Sequence, residues 1–258
     1  MLDRARLESI LRQAGAIAMD CWPGAGKILE SWEKMPGNPV CSGDLAVDAF
    51  LRHELGLLLP SAGWLSEETT DSLSQRSGNL IWLVDPIDGT RDFIGGRKGW
   101  AVCVALIANG RPLISMMAAP ARDEFWQAEV GRGATRNGIP LRASTRATLP
   151  GARIPAKILS PEDADLCLVD QPNSIALRMA MVAADEADVL ATLRWGYEWD
   201  IGAAALIARE AGAIVTDAFG EKLDYNKTDP RAFGVVVAAP AIHGAMLERI
   251  APRARQLA

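Results

Sequence analysis

The sequence predicts a layered α/β fold, on three observations. Short apolar runs of strand character alternate with amphipathic helical stretches along the chain, one strand pair is joined by Asn109-Gly110, and 49% hydrophobic content over 258 residues supplies core for such layers. The elements follow in order. Leu7, Ile10, Leu11, Ala14, Ile17 and Ala18 recur at helical spacing between residues 5 and 19, and this helix should stop near Trp22-Pro23-Gly24. A short strand is expected from Ile28 to Trp32. A second helix runs from Ser42 to Leu59 on Leu45, Ala49, Leu51, Leu55 and Leu58, with Ser42 as its N-cap and Asp44 in its first turn, where the helix dipole favours a carboxylate.

The run Ile81-Trp82-Leu83-Val84 ends in Asp-Pro and reads as a buried strand that delivers Asp85 to its carboxyl end. Trp100 to Ala108 and Leu113 to Met117 form the hairpin whose Asn-Gly turn suits type I′ geometry. Glu124 to Glu129 is a further strand, and Gly131 to Gly138 carries its turns. The signal weakens between Arg142 and Pro161, which marks a seam between residues 1–142 and 143–258. Beyond it, helices are expected over Asn173–Ala184, Ile201–Ala211 and Ala241–Ile250, with strands at Val189–Leu193, Ala213–Thr216 and Phe233–Ala238.

Composition excludes several classes. A formal charge of -5 argues against a protein that grips a nucleic-acid backbone, while a small anion remains open to it if metal ions supply positive charge. No 18-residue apolar run predicts a membrane span, and the N-terminal residues lack a secretory signal. The four cysteines, Cys21, Cys41, Cys103 and Cys167, form no paired framework and read as reduced, mostly buried thiols of a cytoplasmic protein.

Chemistry concentrates in Asp85-Pro86-Ile87-Asp88-Gly89-Thr90. Asp85, Asp88 and the Ile87 carbonyl offer the hard oxygen ligands that magnesium prefers, and a helical turn beginning at Gly89 would point backbone N–H groups at a phosphate. Ser66-Glu67-Glu68 and Trp199-Asp200 are two more acid clusters suited to the same multi-metal site, Asp200 being also a natural N-cap for the helix after it. Rival phosphatase chemistries fail residue by residue. None of the four cysteines has an arginine six positions on, Asp85 and Asp88 are one residue too far apart for an aspartyl-phosphate motif, and the two histidines, His53 and His243, both fall in helices. Metal-activated water is the mechanism left standing.

These residues resemble the inositol monophosphatase superfamily, marked by a Glu-Glu pair, Asp-Pro-x-Asp-Gly-Thr, a Gly-x-Gly-Ala-x-x-Asn-Gly hairpin and a late Trp-Asp before a small-residue helix. All four occur in order, at Ser66-Glu67-Glu68, Asp85 to Thr90, Gly131 to Gly138 and Trp199 to Ala204. The resemblance implies an αβαβα five-layer sandwich of the sugar phosphatase type and hydrolysis of a small phosphate monoester with two or three Mg²⁺ ions. It implies metal binding by Glu67, Asp85, the Ile87 carbonyl, Asp88 and Asp200, and water activation by Asp44 and Thr90, with Glu67 among the catalytic set. Gly89 and Thr90 amides would bind phosphate. Lithium inhibition and a homodimer are further implications.

Where the family has Val-Thr-x-x-Asp, this chain has Val40-Cys41-Ser42-Gly43-Asp44. Softer matches at Leu65 to Glu68, Trp82 to Asp85, Arg91 to Ile94 and Lys222 to Tyr225 resemble the 3′(2′),5′-bisphosphate nucleotidase branch, which implies 3′-phosphoadenosine 5′-phosphate as substrate and Arg178 as ligand of its second phosphate. Leu193 stands where inositol phosphatases carry a sugar-reading Glu. An inositol or sugar monophosphate is the alternative substrate, and a non-catalytic binding protein on the same fold is the alternative of another class.

Overall fold

The computed structural model describes residues 2–24, 29–35, 38–69, 73–76 and 78–258. Among the described residues, α-helices and strands follow in the order α1 (Arg4–Cys21), β1 (Ser31–Met35), β2 (Asn38–Cys41), α2 (Ser42–Leu58), β3 (Gly63–Ser66), β4 (Leu80–Asp88), α3 (Thr90–Ile94), β5 (Ala101–Ala108), β6 (Arg111–Ala119), β7 (Glu124–Glu129), β8 (Ala134–Arg136), β9 (Ile139–Pro140), β10 (Arg153–Pro155), β11 (Cys167–Val169), α4 (Ile175–Ala183), β12 (Val189–Tyr197), α5 (Glu198–Glu210), β13 (Ile214–Thr216), β14 (Arg231–Ala238) and α6 (Pro240–Leu257). Of the expected Ile28–Trp32 strand, Ile28 lies outside the described residues, and β1 begins at Ser31.

Strands β3 to β9 form one seven-stranded sheet in sequence order, and β12-β14-β13 form a three-stranded one. Helices α1 and α2 cover one face of the large sheet, α4 and α5 fill the space between the two sheets, and α6 covers the far face of the small one. This is the αβαβα order of five layers. Period-two alternation along β4 explains how one strand serves two cores: Trp82 and Val84 pack toward α1 and α2, while Ile81 and Leu83 pack toward α4 and α5. Each such side chain contributes roughly 1.5–3 kcal/mol on burial. The Asn109-Gly110 turn has positive φ at both residues, 48° and 75°, as a type I′ hairpin requires.

Two expected helix starts are corrected. Cys41, not Ser42, is the N-cap of α2, because its backbone N–H and its thiol both donate to Asp44 Oδ2, at 2.9 Å each. The helix expected from Ile201 begins at Glu198, with Tyr197 as N-cap, so Asp200 is not the cap but the third helical residue, accepting from the Tyr197 N–H at 3.0 Å. The strand expected over Val189–Leu193 runs on to Tyr197 because β14 pairs with it throughout. Of the cysteines, Cys41 and Cys103 are buried and Cys21 half-buried, whereas Cys167 is exposed; all four thiols are free. Among the described residues no helix is long and apolar enough to cross a membrane.

Candidate active site

The parallel pairing of β3 with β4 sets Ser66 beside Val84, so Glu67, just past the end of β3, stands beside Asp85 of β4. The turn that presents Glu67 is tied down from below: the Ser66 and Thr69 hydroxyls both donate to Asp48 of α2, one helical turn after Asp44. Asp200 comes from the other half of the chain. Its helix reaches β4 closely because Gly202 has no side chain; a Cβ there would lie 2.4 Å from Leu83 Cδ2. As a result, carboxylate oxygens of Glu67, Asp85 and Asp200 all lie within 4.8 Å of one another.

Such a gathering is electrostatically costly without a cation. Burial, then the charge of Asp200, pushes Glu67 up to about 8. Burial, then the charge of Asp88, pushes Asp200 up to about 7, and burial, then Glu67, raises Asp85 well above the carboxylate range. Asp85 Oδ1 is also buried without a hydrogen-bond partner. An orphaned carboxylate oxygen facing two more carboxylates is what a hard divalent cation satisfies, and the residues fit that group.

Asp88 is placed differently. Its Oδ2 accepts from the Ser174 hydroxyl and from Ala176 N–H at 2.7 Å, and its Oδ1 from Ile175 N–H at 3.3 Å, so this carboxylate fastens β4 to the first turn of α4. Gly89, at φ 96°, opens α3 where a Cβ would lie 2.6 Å from Gly99 O and 2.9 Å from Ser174 N, so only glycine fits. Thr90 Oγ1 lies 3.4 Å from Asp44 Oδ1 and 3.1 Å from Ile87 O. With one hydroxyl proton it donates to one of them at a time. Asp44 is fully buried behind Thr90, and burial raises its pKa.

Glu67, Asp85, Ile87, Asp88, Gly89, Thr90 and Asp200 thus line one open cavity, together with Arg91, Asn173 and Arg194. Arg178 does not. Its guanidinium is buried, donating to Ser174 O and Asn173 O at 3.3 Å each, because α4 turns it back along its own N-terminus; the expected substrate contact is corrected to support of that helix start. Lys34 of β1, which sequence reasoning missed, is paired with Glu68 and lies 3.6 Å from Glu67. Trp82, Trp100 and Trp126 are core residues; Trp195 is half exposed, its ring against Phe233 and under the Arg231 guanidinium.

The profile of the inositol monophosphatase family matches residues 4–257. The chain belongs to the inositol monophosphatase family. Among its relatives, inositol monophosphatase 2 of Solanum lycopersicum is 29% identical over 72% of this chain and 77% of its own. The 3′(2′),5′-bisphosphate nucleotidase CysQ of Escherichia coli O157:H7 is 30% identical over 84% and 91%. Among solved structures, the Thermotoga maritima IMPase superposes with a TM-score of 0.82 at 25% identity, covering 98% of both chains. The family is one of phosphatases, which agrees with the cavity's carboxylates and with the fold.

Proposed function

We propose that the chain hydrolyses a small phosphate monoester using two or three Mg²⁺ ions, and that its substrate is 3′-phosphoadenosine 5′-phosphate, converted to AMP. The observation that carries the metal-dependent reading is the Glu67, Asp85 and Asp200 cluster with its orphaned Asp85 oxygen. Asp85 and Glu67 would hold the ions from the large sheet, Asp200 from α5, with the Ile87 carbonyl and the remaining lone pairs of Asp88 beside them. When bound, the ions activate water, neutralise phosphate charge and stabilise the leaving oxygen.

The chain's own residues do the rest. Gly89 and Thr90 backbone amides, at the start of α3, orient the phosphate. The attacking water gives its proton toward the Thr90 hydroxyl, whose own proton passes to Asp44 Oδ1, the acceptor beside it. Burial favours that proton on Asp44, while the Cys41 N–H and thiol keep the carboxylate in place.

Two features support the nucleotide. Leu193, where a sugar-reading acid would stand, packs into the core under α6, away from the cavity. Relatives named as bisphosphate nucleotidases align over more of this chain than the tomato inositol monophosphatase does. The likeness to that enzyme and to the Thermotoga maritima IMPase supports inositol 1-phosphate as the second reading. Magnesium-dependent phosphate release from the two compounds at equal concentration separates them: faster release from the nucleotide is expected, and faster release from the inositol ester would replace it. Silence on both would leave a binding protein.

A further inference from the structure

Strand β12 carries a bulge beside the cavity. Thr192 faces Val235 and Trp195 faces Phe233, so Leu193 and Arg194 together oppose the single residue Gly234. Gly234 has φ 67°, and a Cβ on it would lie 2.3 Å from the Thr192 carbonyl, so the irregularity is written into the sequence. The strand keeps its alternation into this bulge. Ala191 and Leu193 turn to the core under α6, while Thr192, Arg194 and Gly196 turn toward the site. Arg194 borders both the carboxylate cavity and an adjoining apolar slot walled by Tyr197, Ile201 and Val235.

The cations around the acids are not equivalent. Lys34 is committed to Glu67 and Glu68, and Arg178 to two backbone carbonyls. Arg194 is exposed and makes no hydrogen bond or ion pair among the described residues, although it lies within the electrostatic reach of both Asp200 and Arg178. An arginine with a purely structural role in such surroundings would pair with the nearest acid. When cations occupy the carboxylates, Asp200 is no longer available to Arg194, and the field of Arg178 behind it adds to the positive potential. A planar guanidinium fork held there matches the oxygens of a phosphate.

We propose that Arg194 recognises a second phosphate carried by the leaving alcohol of the substrate, and so sets the preference for bisphosphates over monophosphates. This rests on the phosphomonoesterase reading above. It assigns to Arg194 the role that the resemblance had implied for Arg178.

The test compares adenosine 3′,5′-bisphosphate with adenosine 3′-monophosphate, which has the same scissile ester and lacks the second phosphate, using full-length protein with Mg²⁺. The wild type should prefer the bisphosphate in kcat/KM. Arg194→Gln should collapse that preference by about 10–100-fold, through KM for the bisphosphate, and Arg194→Lys should restore only part of it, as expected for a charge-assisted bidentate contact. Equal losses on both substrates, or an unchanged preference ratio, would overturn the proposal. Equilibrium binding of the two nucleotides to wild type and Arg194→Gln, with Ca²⁺ in place of Mg²⁺, separates this failure from that of the underlying reading. Absence of turnover with an Arg194-dependent binding preference would sink the phosphatase activity alone, and absence of that preference would sink Arg194.

Discussion

Carboxylates withdrawn from solvent fall into two groups in this protein, and the groups behave oppositely. Asp188, next to β12, is 2% exposed, yet its pKa falls to about 2: burial pushes it up, but Arg153, the Arg153 backbone N–H and the Ser144 hydroxyl all donate to it and outweigh that push. Asp85 is buried and Glu67 and Asp200 are half-buried against one another, and all three are pushed up, with Asp85 Oδ1 unpartnered. Burial alone therefore does not mark a functional acid. The first group is satisfied by protein and serves the fold; the second is left short of positive charge, which is where an ion and an anionic substrate have something to supply.

The sharpest way to break this comparison is to neutralise one acid in each group. Asp85→Asn should cut magnesium-dependent phosphate release by about 10³-fold or more, while the metal-free protein melts no lower than wild type because a buried charge has been removed. Retained turnover would refute the metal assignment. Asp188→Ala should do the reverse, leaving the Ser144 hydroxyl and an Arg153 N–H unbonded at a cost of about 2 kcal/mol, discounted because Arg153 is partly exposed. Denaturant unfolding checks the loss, and activity per folded molecule should hold.

The pH dependences should also oppose each other. Glu67 and Asp200 bind protons more tightly folded than unfolded, so their contribution is full below the usual carboxylate range and is lost as pH rises through about 7 and 8. Asp188 contributes above that range, and its contribution is lost as pH falls toward about 2. Metal-free protein should thus lose melting temperature between pH 5 and 8, and Mg²⁺ should raise it more at pH 8 than at pH 5. A metal-free melting temperature that climbs over that interval would contradict the frustrated cluster. The smallest effect concerns Cys41. Cys41→Thr keeps a donor to Asp44 and should stay within about twofold of wild-type turnover, whereas Cys41→Ala should lose about 1 kcal/mol of stability and part of kcat.

Much of this was legible in the chain because one part of the site is local. Asp85, Asp88, Gly89 and Thr90 lie within six residues, and strand and turn chemistry brackets them. What escaped was nonlocal or a matter of phase. Ser174 caps α4 and holds Asp88 from 86 residues away, and Asp48 supports the Glu67 turn across 18, with no pattern in either neighbourhood to announce it. The resemblance placed Arg178 at the substrate, and a residue-by-residue match does not reveal that its guanidinium folds back on its own helix start. Arg194 did have a signal: with Leu193 apolar and therefore inward, its neighbour in a strand must face the other way. That reading required the strand to continue past Leu193, and it continues only because β14 pairs across the bulge.

The Asp88 linkage has a consequence for how the site comes into being. Hydrogen bonds from α4 hold Asp88, one from Tyr197 N–H holds Asp200, and Cys41 holds Asp44, so these carboxylates are positioned by polypeptide bonds and not by an ion. The electrostatic work of crowding them is done during folding, when α5 packs on β4 and the start of α4 bonds to Asp88. An arriving cation therefore meets Asp44, Asp88 and Asp200 already placed, and its departure should leave the joint between β4 and α4 closed.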